Sequence, residues 1–262
     1  MLTESQIEEV AQQLLEADEA RRQIERITAA HPSMTMEEGY AIQKVFIRKR
    51  HGGSRVVVGK KVALTNKAVQ QALGVDLPVF GHLMSDMILP EGEPISCATM
   101  TQPKIEPEFA FVMKADLVGP GVTAAHVLAA TAGVMPALEI PGPRIRDWKF
   151  GRGDIAADNA FASKVVLGGT LTSIEGLDLR LLGVVLERNG VLVSTGAGAA
   201  VLGNPVDVVT WLANKLGEHG LGIKAGDIVL PGALVVAPDV HPGEYYRATF
   251  DRLGSVSALF VE

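Results

Sequence analysis

From Val56 to the C-terminus, glycine or proline cuts the chain every few residues, and the pieces between the cuts are β-rich. They read RVVVG, EFAFVM, VMPALEI, SKVVLGG, LGVVLERNGVLVSTG, GDIVLPG and YYRATFDRLGSVSALFV. Two helical patterns interrupt them, at about 121–132 (GVTAAHVLAATA) and 205–217 (PVDVVTWLANKLG), the second with Pro205 in its first turn. That is too few for a regular βαβ alternation. The pattern therefore predicts an α+β fold with a mostly antiparallel, rolled β core. Asn189-Gly190, set between two β-rich runs, predicts a hairpin, and DRLG at 251–254 a second turn.

Before Val56 the texture is helical. Ile7, Val10, Ala11, Leu14 and Leu15 share one helical face, and Thr3 with Gln6 predicts a capping box at its start. Thr35 and Glu38 repeat that signature before Tyr40, Ile42, Val45 and Phe46. Residues 1–55 thus read as an N-terminal helical cap and 56–262 as a β-rich catalytic domain. The basic run RKRHGG at 48–53 ends a helix, where cations face the negative end of the helix dipole. With a net charge of −6, this argues against nucleic acid as a partner. The first residues are too charged for a signal peptide, and no apolar run reaches the ~20 residues that span a bilayer. Cys97 is the only cysteine and the six histidines are scattered, so no zinc-type spacing exists. A cytoplasmic protein without membrane contact is the expectation.

PKIEPEFAFVM, residues 103–113, places two acids at the start of an apolar strand. Positions i and i+2 of a strand share a face, so Glu106 and Glu108 would lie roughly 6.6 Å apart along one side. Solvent-facing glutamates would satisfy that pattern. Against it stands Glu139, at the end of GVMPALEIPG, a run with no other charge. A lone buried carboxylate is costly unless it protonates or finds a cation. Three acids around one point repel unless a divalent ion compensates them. An all-oxygen set suits Mg²⁺, Mn²⁺ or Ca²⁺ rather than Zn²⁺.

Glu-x-Glu followed thirty-one residues later by a third acid resembles the metal triad of the fumarylacetoacetate hydrolase superfamily. The likeness extends through VVGKKVALTNKAVQ (57–70), LPVFGHLMSDM (77–87), QPKIEPEFAFVMKADLVGPGV (102–122), RIRDWK (144–149), AADNA (156–160), STGAGAAVLGNPVDVVTWLANKLG (194–217) and LGSVSALFV (253–261). These motifs are similar to one branch, which holds 2-hydroxypenta-2,4-dienoate (2-oxopent-4-enoate) hydratases, 2-oxohept-3-enedioate hydratases and 4-oxalocrotonate decarboxylases. The resemblance implies that fold with its helical cap, and a Mg²⁺ or Mn²⁺ ion on Glu106, Glu108 and Glu139. That ion would act as a Lewis acid toward the C2 oxygen of a 2-oxo acid while a dienolate forms. It gives Lys61 the role of binding the substrate carboxylate or shuttling a proton, while Lys60 reads as a solvated surface charge. Thr65, Arg144, Gly196 and Gly198 match substrate-side positions. It further implies a homo-oligomer, possibly associated with the neighbouring enzyme of an aromatic meta-cleavage pathway.

The chain departs from the family pattern in three places. Ala63-Leu64-Thr65-Asn66 replaces Gly-Leu-Thr-Ser, and IPGPR follows Glu139 where VDSR is usual. Val79 stands where hydratases carry an aspartate for handling water, and decarboxylases are aliphatic there. A dry wall suits loss of CO₂. The breadth of the likeness favours a hydratase, with a 4-oxalocrotonate decarboxylase as the alternative. A non-catalytic partner subunit is the reading of another class, opposed by the intact acidic triad.

Overall fold

The computed structural model describes residues 1–52, 55–67, 70–71 and 77–262. Gly53 of the basic run, and Ala68 and Val69 of the lysine motif, lie outside them. Both predicted capping boxes form. The Thr3 hydroxyl accepts from the Gln6 N–H at the start of α1 (Glu4–Glu19), and Thr35 from Glu38 at the start of α3 (Met36–Arg50). The short α2 (Ile27–Ala30) lies between them. α1 buries Val10, Ala11, Leu14 and Ala17, while Ile7 and Leu15 sit half-buried at the edge of that face. α3 buries all four of its predicted apolar positions. This cap does not stand free of the body. Gln43 Nε2 donates to the carbonyls of Phe80 (3.0 Å) and Ala156 (2.8 Å). A Cβ on Gly39 would come within 2.4 Å of the Gly153 carbonyl, so α3 reaches this backbone only because Gly39 carries no side chain. One hydrophobic core runs from Val10 to Phe260.

The body carries β1 (Val57–Ala63), β2 (Val79–Met84), β3 (Ile88–Leu89), β4 (Ile95–Ser96), β5 (Glu106–Met113), β6 (Thr131–Ile140) and β7 (Lys164–Leu167). It continues with β8 (Gly183–Arg188), β9 (Val191–Ala197), β10 (Ile228–Leu230), β11 (Tyr245–Phe250) and β12 (Gly254–Val261). Among the described residues these form a seven-stranded sheet, β2-β1-β10-β5-β6-β7-β3, and a five-stranded sheet, β4-β12-β11-β8-β9. The fold is α+β, as the run pattern predicts. The sheets are mixed, because β1/β10, β3/β7 and β4/β12 pair in parallel. β11 and β12 pack across β6, which seals the centre of the larger sheet. Asn189 and Gly190 turn β8 into β9, and the 251–254 turn joins β11 to β12.

Further helices of the described residues include α4 (Ala124–Ala130), α5 (Arg152–Ala157) and α6 (Pro205–Glu218). α4 is shorter than the predicted 121–132, because Thr131 already begins β6. β2, like the two-residue β3 and β4, is not announced by the sequence pattern. All six residues of β2 are buried, so no alternation marks it, and Gly81 interrupts its middle. No helix of the described residues is long and apolar enough to cross a membrane.

Candidate metal centre

β5 and β6 run antiparallel with Glu106 directly opposite Glu139 and Glu108 opposite Ala137. The period of a strand puts Glu106 and Glu108 on one face, and the register then adds Glu139 to it. Ala137 leaves room beside Glu108. Oxygen atoms of the three carboxylates lie within 4.8 Å of one another, and among the described residues no other group of acids, histidines and cysteines comes together this way. Glu108 and Glu139 are fully buried and Glu106 is half-buried at the cavity edge.

Like charges directly opposite on a sheet are destabilising. Here burial, and next the charge of Glu139, push Glu106 up to about 7. Burial, with Glu139 and Glu106 behind it, raises Glu108 well above the usual carboxylate range. Lys61, Lys104 and the Gly232 N–H oppose this. Lys61 Nζ lies 3.2 Å from Glu139 Oε2 and donates to the Ala160 carbonyl at 3.0 Å. The Gly232 N–H donates to Glu108 Oε2 at 2.6 Å. Burial alone would lower Lys61, but the three glutamates outweigh it and its pKa is raised, so the ammonium holds its proton. Glu108 Oε1 and Glu139 Oε1 are buried without any hydrogen-bond partner. One lysine does not satisfy three acids, and orphaned carboxylate oxygens converging on one point are the donor set of a hard divalent cation. The residues fit such an ion.

The cluster opens into a cavity of about 330 Å³. Glu106, Lys61, Thr65 and Lys104 line it together with Trp148, Phe150, Ile155 and Phe161, and the segment after β10 closes it with Val235 and Val236. The aromatic wall is braced by edge contacts of Phe161 with Trp148 (5.4 Å) and Phe150 (4.9 Å). Asn159, Ala160 and Phe161 all adopt left-handed backbone, φ 52°, 51° and 60°. Three non-glycine residues in that region store strain, which persists only where surroundings enforce it. They do so here. The Asn159 side chain accepts from His82 N (2.7 Å) and donates to His82 O (2.9 Å). The twist turns the Ala160 carbonyl onto Lys61. Each residue of the DNA stretch in AADNA therefore has a task, since Asp158 pairs with Arg144.

Several sequence expectations come out differently. Arg144 does not line the cavity. Its guanidinium is consumed by Asp158, by Asp18 of α1 (3.1 Å) and by the carbonyls of Asp158 and Ala162. In this arrangement it ties the N-terminal helices to the body. Gly196 and Gly198 are also outside the lining. Added Cβ atoms would meet the Leu234 carbonyl at 2.2 Å and the Leu179 carbonyl at 1.8 Å, so close backbone packing is their reason. Val79 pairs with Ala63, which lines the cavity, but is itself buried behind it. Lys60 is no surface charge. It is 6% exposed and lies 3.8 Å from Asp227. Lys104, Trp148, Phe150, Phe161 and the Gly232 N–H go unnoticed in sequence. Only Lys104, two residues before Glu106 on the same strand face, carried a periodic cue.

A model of the fumarylacetoacetate hydrolase C-terminal domain matches residues 56–261, and the chain belongs to that family. Within it, the chain is 42% identical over 259 residues to a 2-keto-4-pentenoate hydratase of Paraburkholderia xenovorans strain LB400, covering 99% of this chain and 96% of that one. It is 38% identical over 260 residues to a 4-oxalocrotonate decarboxylase of Pseudomonas putida, covering 99% and 98%. The solved 4-oxalocrotonate decarboxylase of Pseudomonas putida G7, complexed with magnesium and adipate, matches at a TM-score of 0.96 and 38% identity, over 100% of this chain and 99% of that one.

Proposed function

We propose that this protein is a metal-dependent lyase that hydrates 2-hydroxypenta-2,4-dienoate, or a close 2-oxo-enoate, to the 4-hydroxy-2-oxo acid. The observation that carries this reading is the meeting of three buried acids and one buried lysine at the head of an apolar cavity. Glu106, Glu108 and Glu139 would hold magnesium or manganese, which when bound supplies a Lewis acid for the negative charge that develops on the substrate's C2 oxygen. Lys61 presents a charged Nζ at the cavity wall, placed to hold the substrate carboxylate or to move a proton at the dienol carbon. Thr65 lines the same wall, and Trp148, Phe150 and Phe161 keep bulk water out, which strengthens every charge interaction inside. Relatives named as hydratases support the reaction class.

One observation favours the second reading, decarboxylation of 2-oxohex-3-enedioate. Among the described residues lining the cavity, Glu106 is the only carboxylate and no histidine is present, so few of them could take a proton from attacking water. Lys104, at the cavity wall, is a cation within the site for a second carboxylate, which would compete with its present partner Asp239 (2.6 Å). Offering the two acids separately with Mg²⁺ or Mn²⁺, and following water uptake and CO₂ release, decides the matter. Hydration of the pentadienoate is the expected result. CO₂ release from the six-carbon diacid without hydration of the pentadienoate would replace it with the decarboxylase. A homo-oligomer belongs to the same proposal, supported by the apolar side chains that Val185, Val191, Leu192 and Leu259 expose on the five-stranded sheet.

A further inference from the structure

The chemistry above uses one face of β1. Neighbours on a strand point to opposite faces, so Lys60 turns away from the cavity that takes Lys61. Its cross-strand partner on β2 is His82, and the two side chains emerge together on the back of the sheet. Both are more than nine-tenths buried, at 6% and 8% exposure. They line a second cavity, of about 820 Å³, between α3, the β1–β2 face and the segment after α6.

His82 is unsatisfied there, and Lys60 has only a long ion pair. Asp227, at 3.8 Å from Lys60 Nζ, is beyond hydrogen-bond reach, and His82 Nδ1 has no partner at all. Buried polar groups left this way cost stability unless a ligand or water completes them. Burial, and next the charge of Lys60, hold His82 down at about 3, so its imidazole is neutral at physiological pH and can donate one hydrogen bond. Lys44 lines the same cavity, as do Arg48 and Lys224, which pair with Glu8 and with Asp116 (2.8 Å), and among the described residues of the lining Glu37 is the one carboxylate. Ile47, Val57, Phe80 and Val118 supply apolar wall. A volume near 820 Å³ is that of a site for an organic molecule rather than for a bare inorganic ion.

We propose that this cavity is a second ligand site, taking an organic oxyanion whose carboxylate or phosphate sits between Lys60 and His82 and whose apolar body rests against Phe80 and Val118. It is separate from the carboxylate cluster, on the other face of the same strand.

The test titrates metal-free protein with benzoate, with phenyl phosphate and with inorganic phosphate, by calorimetry and by NMR of the histidine side chains. At least one aromatic probe should bind saturably, with the His82 imidazole nitrogens shifting. It should bind about tenfold tighter than inorganic phosphate, the worth of a modest apolar contact. The tighter of the two aromatic probes identifies the anion. Lys60→Met should weaken binding about tenfold, as loss of one charge-assisted hydrogen bond does, while Lys61→Met leaves it unchanged. Lys44→Glu on the exposed rim, which disturbs no core, should weaken it in the same direction should Lys60→Met fail to fold. Absence of saturable binding by either aromatic probe overturns the site. So does binding lost in Lys61→Met and kept in Lys60→Met and Lys44→Glu, which would put the anion in the first cavity.

Discussion

Glu108 is the residue in which the whole arrangement is concentrated. It is fully buried, one of its oxygens is held by the Gly232 N–H, and the other points at its two neighbours without a partner. As an anion it is costly alone and favourable only with a cation beside it. Replacing it by glutamine removes a ligand and a like-charge repulsion together. Glu108→Gln should therefore lower turnover at saturating Mg²⁺ by at least ~10²-fold, since a Lewis acid contributes several kcal/mol to the barrier. The same variant should melt no lower than wild type when both are metal-free. A variant with near-native turnover would remove Glu108 from the ligand set. A folded but inactive one, insensitive to added metal, is the expected result.

At the scale of elements, the site depends on how α1, the segment after β6 and the twisted 158–162 turn are tied together. Arg144 makes that tie, bridging Asp18 on α1 to buried Asp158. Arg144→Met would strand the Asp158 carboxylate in the interior, a change that costs about 3–5 kcal/mol. Denaturant unfolding should show that loss, and Asp158→Asn in the same chain should recover part of it. KM for the substrate should stay close to wild type under conditions where the variant is folded. A raised KM with unchanged stability would return Arg144 to the substrate-binding role that its motif suggests.

For the molecule as a whole, the acidic cluster makes stability depend on pH and metal together. The Glu106 carboxyl, ordinarily at 4.5, is pushed up to about 7 by burial and then by Glu139. Between those values the metal-free folded chain keeps a proton that the unfolded chain has lost. Stability rises with pH only where the unfolded state binds more protons, so the contribution of Glu106 falls; Asp158, pushed up to about 6 by burial, acts the same way below that value, while His82, held down at about 3, acts against both up to its ordinary 6.5. The melting temperature of metal-free protein should drop as pH rises from about 4.5 through about 7. Divalent metal at about 100 times its Kd should restore about 2.7 kcal/mol and act against that slope, because it binds the ionised form of the folded state alone. A metal-free melting temperature that climbs over this window in a His82→Asn variant as well, where the opposing imidazole is gone, would show that the three acids do not share a buried site.

Much of this was legible in the linear chain, for local reasons. Capping boxes, Asn-Gly turns and first-turn prolines act over four residues, and all form where the pattern predicts. Strand periodicity is also local, so Glu106 and Glu108 had to share a face if 106–113 was a strand at all. That Glu139 joins them depends on the β5–β6 register, and spacing alone reached it only through family resemblance. Where Arg144, Gly196, Gly198 and Lys60 sit was not legible because their neighbours, Asp158 aside, come from other elements, at Asp18, Leu234, Leu179 and Asp227. The chain by itself determined which residues could be buried and which faces they share, since those follow from nearest-neighbour geometry. Which buried charges meet, which stay unpaired, and which walls enclose them was decided only when segments a hundred residues apart packed together, because electrostatics and exclusion of water depend on distance in space rather than along the chain.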